Sequence, residues 1–175
     1  LQGSLNLAIN MLYVLTEATL PPPALVAAGR QLFERCRDAR VLPPLVAGMD
    51  KAAVLRLLHA LLDLAPEAGF KVAVQRLVTP QQRPAAAASA GSSAVAAAEP
   101  PLFAPSELLA ALHLLDHASN PGLLRKMMAG VTACLALREL FGREVLAAAI
   151  GQMLTRAPLP HLFMRTVIQS LGAAP

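Results

Sequence analysis

The chain has 175 residues, 55% of them hydrophobic and 15% charged, with a formal net charge of +4. That length holds one domain with a real core or two small ones, and that apolar share excludes a chain disordered throughout. Aromatics are only 3%, with no Trp and Tyr13 as the single tyrosine, so leucine and alanine must build the core, which favours helices packed on helices over a β-sandwich.

Leu5, Ile9, Leu12 and Tyr13 recur at helical spacing and predict a helix over about 4–18. Pro21-Pro22-Pro23 closes it, because proline opens a helix but does not continue one. Residues 24–38 predict a second helix, with Leu25, Leu32, Phe33 and Cys36 inward and Arg30, Glu34, Arg37 and Asp38 outward. Leu42-Pro43-Pro44-Leu45 supports a short helix at best. Asp50 is an N-cap, its carboxylate suited to the first free amides of a helix striped by Val54, Leu58, Leu61 and Leu62. Pro66 opens another, in which Phe70, Val74, Leu77 and Val78 repeat the spacing.

From Thr79 to Ala104 the composition changes to Pro, Gln, Ala, Ser and Gly, with prolines at 80, 84, 100 and 101. This stretch lacks a face large enough to bury, so 79–104 reads as a flexible linker between N-terminal helical pairs over 1–78 and C-terminal helices over 105–175. Ser106 is placed to cap the next helix, with Leu108, Leu112 and Leu115 inward. Asn120-Pro121 is a cap followed by a first-turn proline, and the helix it starts presents Leu124, Met128, Val131 and Leu135. Gly142 reads as a stop signal. Residues 143–156 carry Val145, Leu146, Ala149, Ile150 and Met153 on a wide stripe, ended by Pro158.

The last segment, Pro158 to Leu171, reads P-L-P-H-L-F-M-R-T-V-I-Q-S-L. Pro160 suits the first helical position. Met164, Ile168 and Leu171 follow at i, i+4, i+7, widened by Phe163 and Val167, and predict the face that meets the core. His161, Arg165 and Gln169 predict a separate polar stripe. Helices of about 12–17 residues joined at proline-marked turns suggest an all-α chain of antiparallel pairs stacked in HEAT-like fashion, with a compact bundle as the structural alternative.

Little in the sequence points to chemistry. Mean hydropathy is +0.52, yet no apolar run reaches the ~18 residues of a membrane span; Glu17, Arg30, Lys51, Arg56, Asp63, Arg138, Glu144 and Arg156 interrupt every candidate. No nucleotide-binding glycine pattern and no nucleophile elbow is present. The carboxylates do not pair in a way that predicts acid–base work. His113 and His117 stand four apart beside Asp116, the spacing of two ligands on one zinc-binding face. Leu114 stands where the metalloprotease pattern has glutamate, and no clear third ligand is near, so no metal is assigned. Cys36 and Cys134 lie far apart on apolar helix faces and read as reduced, Cys134 as a buried, inert thiol. Arg125, Lys126, Arg138, Arg143, Arg156 and Arg165 make the C-terminal half basic. They read as a solvated surface or as the footprint of an acidic partner or an RNA backbone, but the stacking aromatics of a single-strand reader are missing.

The Pro158–Leu171 stretch resembles the signature of the symplekin C-terminal family, P-L-P-x-L-x-M-R-T-V-I-Q-S-L, matching through Pro158, Leu159, Pro160, Leu162 and the run Met164, Arg165, Thr166, Val167, Ile168, Gln169, Ser170, Leu171. Upstream, Pro105–Leu115 is similar to the family's P-x-E-L-L-x-A-L-H. Glu144-Val145-Leu146 with Gln152-Met153 is similar to a further helix, and Val41–Pro66 to a short proline-bearing helix followed by a longer one. The resemblance spans about residues 39–171. It departs in a longer alanine-rich stretch at 79–104, and the family pattern continues into further helices after Leu171, which suggests a fragment or a gene model cut short. The resemblance implies a nuclear, non-enzymatic scaffold of pre-mRNA 3′-end processing. Such a scaffold would hold the cleavage endonuclease and its inactive homologue in the cleavage and polyadenylation complex, with no cofactor, no membrane, no small-molecule substrate and RNA met only indirectly or weakly. Pro158, Pro160, Met164, Arg165, Thr166 and Gln169 are the candidate partner-binding or structural residues. A direct RNA-binding helical repeat is the alternative.

Overall fold

Prolines and short polar caps cut this leucine- and alanine-rich chain into helices at defined points. A computed structural model describes residues 2–17, 19–80, 100–117 and 120–172. The helices are α1 (Gln2–Leu15), α2 (Pro23–Cys36), α3 (Lys51–Leu61), α4 (Lys71–Val78), α5 (Pro105–His113), α6 (Pro121–Ala136), α7 (Arg143–Leu154) and α8 (Phe163–Gly172). Two 3₁₀ turns, Ala39–Val41 and Val46–Gly48, lie between α2 and α3, and a π-helical turn, Pro66–Phe70, leads into α4. No strand occurs among the described residues, so the fold is all-α. Most of the predicted linker, residues 81–99, lies outside the described residues.

Pro23, Pro105 and Pro121 each stand at the first position of a helix, where a missing N–H costs nothing. The Asp50 carboxylate accepts from the Ala53 N–H at 2.7 Å, and the Asn120 side-chain oxygen accepts from the Gly122 N–H at 3.1 Å, satisfying amides that have no intrahelical acceptor. Arg37 closes α2 in the left-handed region (φ 55), its N–H donating to the Phe33 carbonyl at 2.7 Å.

One contiguous core draws on every helix. Its centre is the turn region Val41–Val46, buried throughout. Such a loop must satisfy its own backbone. The N–H groups of Leu45 and Val46 both donate to the Leu42 carbonyl. Arg76 of α4 donates to the Pro44 carbonyl at 3.3 Å and to the carbonyl and hydroxyl of buried Thr16 at 2.8 and 2.9 Å. The same guanidinium lies over the Tyr13 ring, 5.9 Å from its centroid. One side chain thus ties the end of α1, the buried turns and α4 together. Burial lowers its pKa from the ordinary arginine value.

The chain re-enters the core at Phe103, inside the 79–104 stretch read from composition as linker. Its side chain is 1% exposed, its N–H donates to the Leu77 carbonyl at 3.1 Å, and the Lys51 ammonium sits 5.0 Å from its ring centroid. Beyond it, α5 packs on α6 and α7, α6 on α4 and the π turn, and α8 on α7. Exposed ion pairs, Lys51 with Glu107 and Lys126 with Asp63, bridge the two halves and add little by themselves.

Several local expectations are corrected. Ser106 does not cap α5: Pro105 takes the first helical position, so the N-cap position falls on Ala104, whose side chain makes no capping bond, and Ser106 accepts a long bond (3.5 Å) from Gln152 instead. Gly142 starts α7 rather than stopping α6; its φ of −70° is not the left-handed stop conformation, and α6 ends earlier, at Ala136. The buried residues of α6 are Leu123, Met127, Gly130, Val131, Ala133 and Cys134. Leu124, Met128 and Leu135 are only half-buried, because the helix turns its small residues toward Leu62 and Phe70: a Cβ on Gly130 would stand 2.5 Å from Leu62 Cδ2.

Candidate partner-binding surface

The signature segment begins with a turn, not a helix. Pro158 and Leu159 are exposed, Pro160 is half-buried, and the Phe163 N–H closes back on the Pro160 carbonyl at 3.0 Å. Pro160 therefore stands three residues ahead of α8 rather than at its first position. The face of α8 that docks is also not the predicted one. Leu162, Phe163 and Thr166 are buried, with Val167 and Ser170 half-buried beside them. Met164, Ile168 and Leu171 are 62%, 65% and 72% exposed.

The reason is a buried polar pair. His113, the last residue of α5, is 3% exposed, and Thr166 is fully buried. His113 Nδ1 lies 2.8 Å from the Leu109 carbonyl, which only accepts, so this nitrogen carries the proton and donates. Nε2 is then the acceptor, and the Thr166 hydroxyl donates to it at 2.7 Å. Burial holds the His113 pKa below its ordinary value, opposed by the Leu109 carbonyl, which favours the charged form. Above the ordinary histidine value of 6.5 the ring is therefore neutral, and both its nitrogens are occupied. Turning α8 to bury Met164, Ile168 and Leu171 would strip Nε2 of its donor, leaving a buried acceptor unpaired.

That arrangement separates the predicted zinc-spaced pair. α5 stops at His113, so His117 does not sit one turn above it on a shared face. The His117 ring instead meets that of His161 edge to face, with centroids 4.5 Å apart. Among the described residues no cluster of three or more His, Cys, Asp or Glu is placed to hold a metal ion. Cys134 is buried, and loss of solvent pushes its pKa up to about 12, the character of a packing residue and not a nucleophile.

Of the remaining signature residues, Arg165 is exposed and makes no ion pair among the described residues. Gln169 is half-buried, and its side-chain oxygen, shielded from solvent, has no hydrogen-bond partner. The predicted polar stripe therefore divides. His161 precedes the helix, Arg165 faces solvent, and Gln169 lies at the edge of the packed face.

A family model described as symplekin tight junction protein C terminal matches residues 38–175, well over half of the chain. The chain belongs to the symplekin C-terminal family. No solved structure matches it. The matched span opens at Asp38, which caps the first buried 3₁₀ turn and accepts from Arg40, a pairing that lowers its pKa. It takes in α3 to α8, whereas α1 and α2 precede it. The symplekin family is of scaffold type, and no helix among the described residues is long and apolar enough to cross a membrane.

Sequence reasoning missed three features. The partner of His113 was not foreseen, although a histidine ending an apolar helix and a threonine within an apolar run are the two halves of such a pair. Arg76 was not singled out, since the Thr16 and Pro44 carbonyls it reaches lie 60 and 32 residues away in the chain. The exposure of Met164, Ile168 and Leu171 had a visible sign: α8 carries a second i, i+4, i+7 set in Phe163, Val167 and Ser170.

Proposed function

We propose that this protein is a non-enzymatic, nuclear scaffold of pre-mRNA 3′-end processing. Its helices, stacked in HEAT-like pairs, hold the cleavage endonuclease and its inactive homologue within the cleavage and polyadenylation complex. Membership of the symplekin C-terminal family carries this reading. In it the signature helix has two jobs. Thr166 fixes the helix to α5, while Met164, Arg165, Ile168 and Leu171 offer an apolar strip and a cation to a partner chain. Pro158 and Pro160 shape the turn that sets the helix at its angle, and Gln169 is held at the rim.

The test is a pull-down from nuclear extract with the chain as bait, read by mass spectrometry. Recovery of the 3′-processing nuclease subunits is expected. Recovery is expected to fall with Arg165→Glu or Met164→Glu, both exposed positions whose substitution leaves the helix docked. A folded bait that recovers no processing subunit, or that recovers junctional proteins in their place, overturns the reading. RNA affinity that falls steeply with salt would favour direct RNA binding instead.

A further inference from the structure

α6, α7 and α8 enclose a groove of about 390 Å³ that no element of the described chain fills. Its floor is aliphatic and aromatic, with Leu135, Phe141, Leu146, Ile150 and Val167 contributed by all three helices and the α6–α7 turn. Leu171 lines it too, and with Ile168 continues the apolar surface along α8 into solvent. The charged residues that line the groove are Arg138 and Arg143, with no carboxylate among the lining residues. Both arginines are exposed and neither has an ion-pair partner among the described residues. Glu139 and Glu144 are their sequence neighbours and do not line the groove.

We propose that this groove is a docking site for an amphipathic helix of a partner protein that carries aspartate or glutamate beside its apolar anchors. Three observations select that occupant. Strand addition needs a sheet edge, and no strand occurs among the described residues; extended proline-rich segments dock in aromatic-lined grooves, whereas Phe141 is the single aromatic residue lining this one, so helix-in-groove recognition is the mode that suits its aliphatic floor. Leu171, which lines the groove, is also the last of the exposed i, i+4, i+7 row Met164, Ile168 and Leu171 on α8, an apolar row of the length a second helix can pack along. The two unpaired arginines at the rim supply a charge preference, and such preferences set register and partner choice across an interface. The proposal rests on the scaffold reading only in taking the partner to be a protein, and names the kind of segment bound.

The probe is a displayed library of helical peptides with leucine at i, i+3, i+4 and i+7 and with Glu, Gln or Lys randomised at the flanking positions, selected on the full chain. Glu is expected to be enriched in the flanks. Ala147→Glu and Leu171→Glu, at exposed positions lining the groove, should each weaken the selected peptide roughly tenfold or more, since a like charge and lost apolar contact both oppose binding. Arg138→Glu with Arg143→Glu should weaken it similarly and shift the preference to Lys-flanked peptides. Val14→Glu, on the exposed face of α1, should leave affinity unchanged.

The proposal falls if selection shows no flank preference or favours Lys, if Ala147→Glu and Leu171→Glu bind as tightly as the parent, or if sedimentation shows a second copy of this chain filling the groove. Nuclear-extract pull-downs separate this failure from that of the scaffold reading. Processing subunits recovered equally by the parent and by Ala147→Glu sink the groove and leave the scaffold standing. A parent that recovers none, yet selects acidic helical peptides through the groove, sinks the scaffold and supports the groove.

Discussion

Replacing Thr166 with valine keeps the shape of the side chain and deletes the one donor to His113 Nε2. In the parent, that nitrogen is buried and accepts at 2.7 Å, while Nδ1 is committed to the Leu109 carbonyl. After Thr166→Val, no described group replaces the donor. A buried acceptor left unpaired costs about 1–3 kcal/mol, which for a chain of this size lowers Tm by about 2–12 °C. The measurement is urea unfolding followed by circular dichroism, at a pH above the ordinary histidine value of 6.5 so that the ring is neutral. A double-mutant cycle isolates the pair. In a His113→Leu background the hydroxyl has no imidazole to serve and turns back to the Leu162 carbonyl one turn earlier, a common fate of helical threonine. There, Thr166→Val should cost little, giving a coupling of about 1–2 kcal/mol. Equal costs in the two backgrounds, or a Thr166→Val variant as stable as the parent, would refute the claim that this bond sets the orientation of α8.

Acidification tests the same histidine. Its folded-state pKa is depressed below 6.5, so the unfolded chain binds the proton more readily. The stabilisation is complete above the unfolded value and is lost as pH falls from there through the folded one. Thermal melts across that window should show a steeper loss of Tm for the parent than for His113→Leu. Arg76→Met keeps the aliphatic stem but removes the donors to Thr16 and Pro44, and should cost about 2 kcal/mol, as hydrogen bonds to charged groups do. Arg76→Lys should recover only part of this in the same urea assay, because an ammonium lacks the planar fork. Gly48→Ala would place a Cβ 2.6 Å from Pro21 Cγ and 2.8 Å from the Pro21 carbonyl oxygen. That contact involves backbone and a ring, neither free to swing away, so a loss of about 1–3 kcal/mol in equilibrium unfolding is expected.

The sequence by itself determined the helices and many of their starts. Asp50, Asn120 and the first-position prolines act within a few residues of themselves, so their effect is written locally, and the leucine stripes of α3 and α4 follow from periodicity alone. The family signature was legible for the same reason, as a contiguous run of residue types. What only the tertiary structure decided were questions with two local answers. α6 and α8 are apolar around much of their perimeter, so spacing permits more than one buried face. For α6 the choice fell to close packing of Gly130 against Leu62 and Phe70. For α8 it fell to His113, 53 residues away in the chain, whose buried nitrogen requires the Thr166 hydroxyl. Phe103 likewise looked like linker because prolines and alanine surround it and Leu102, and its place in the core depends on groups distant in the chain, the Leu77 carbonyl of α4 and the Lys51 ammonium of α3. Periodicity tells how many apolar faces a helix has; partners distant in sequence decide which face is buried and which is left for another chain.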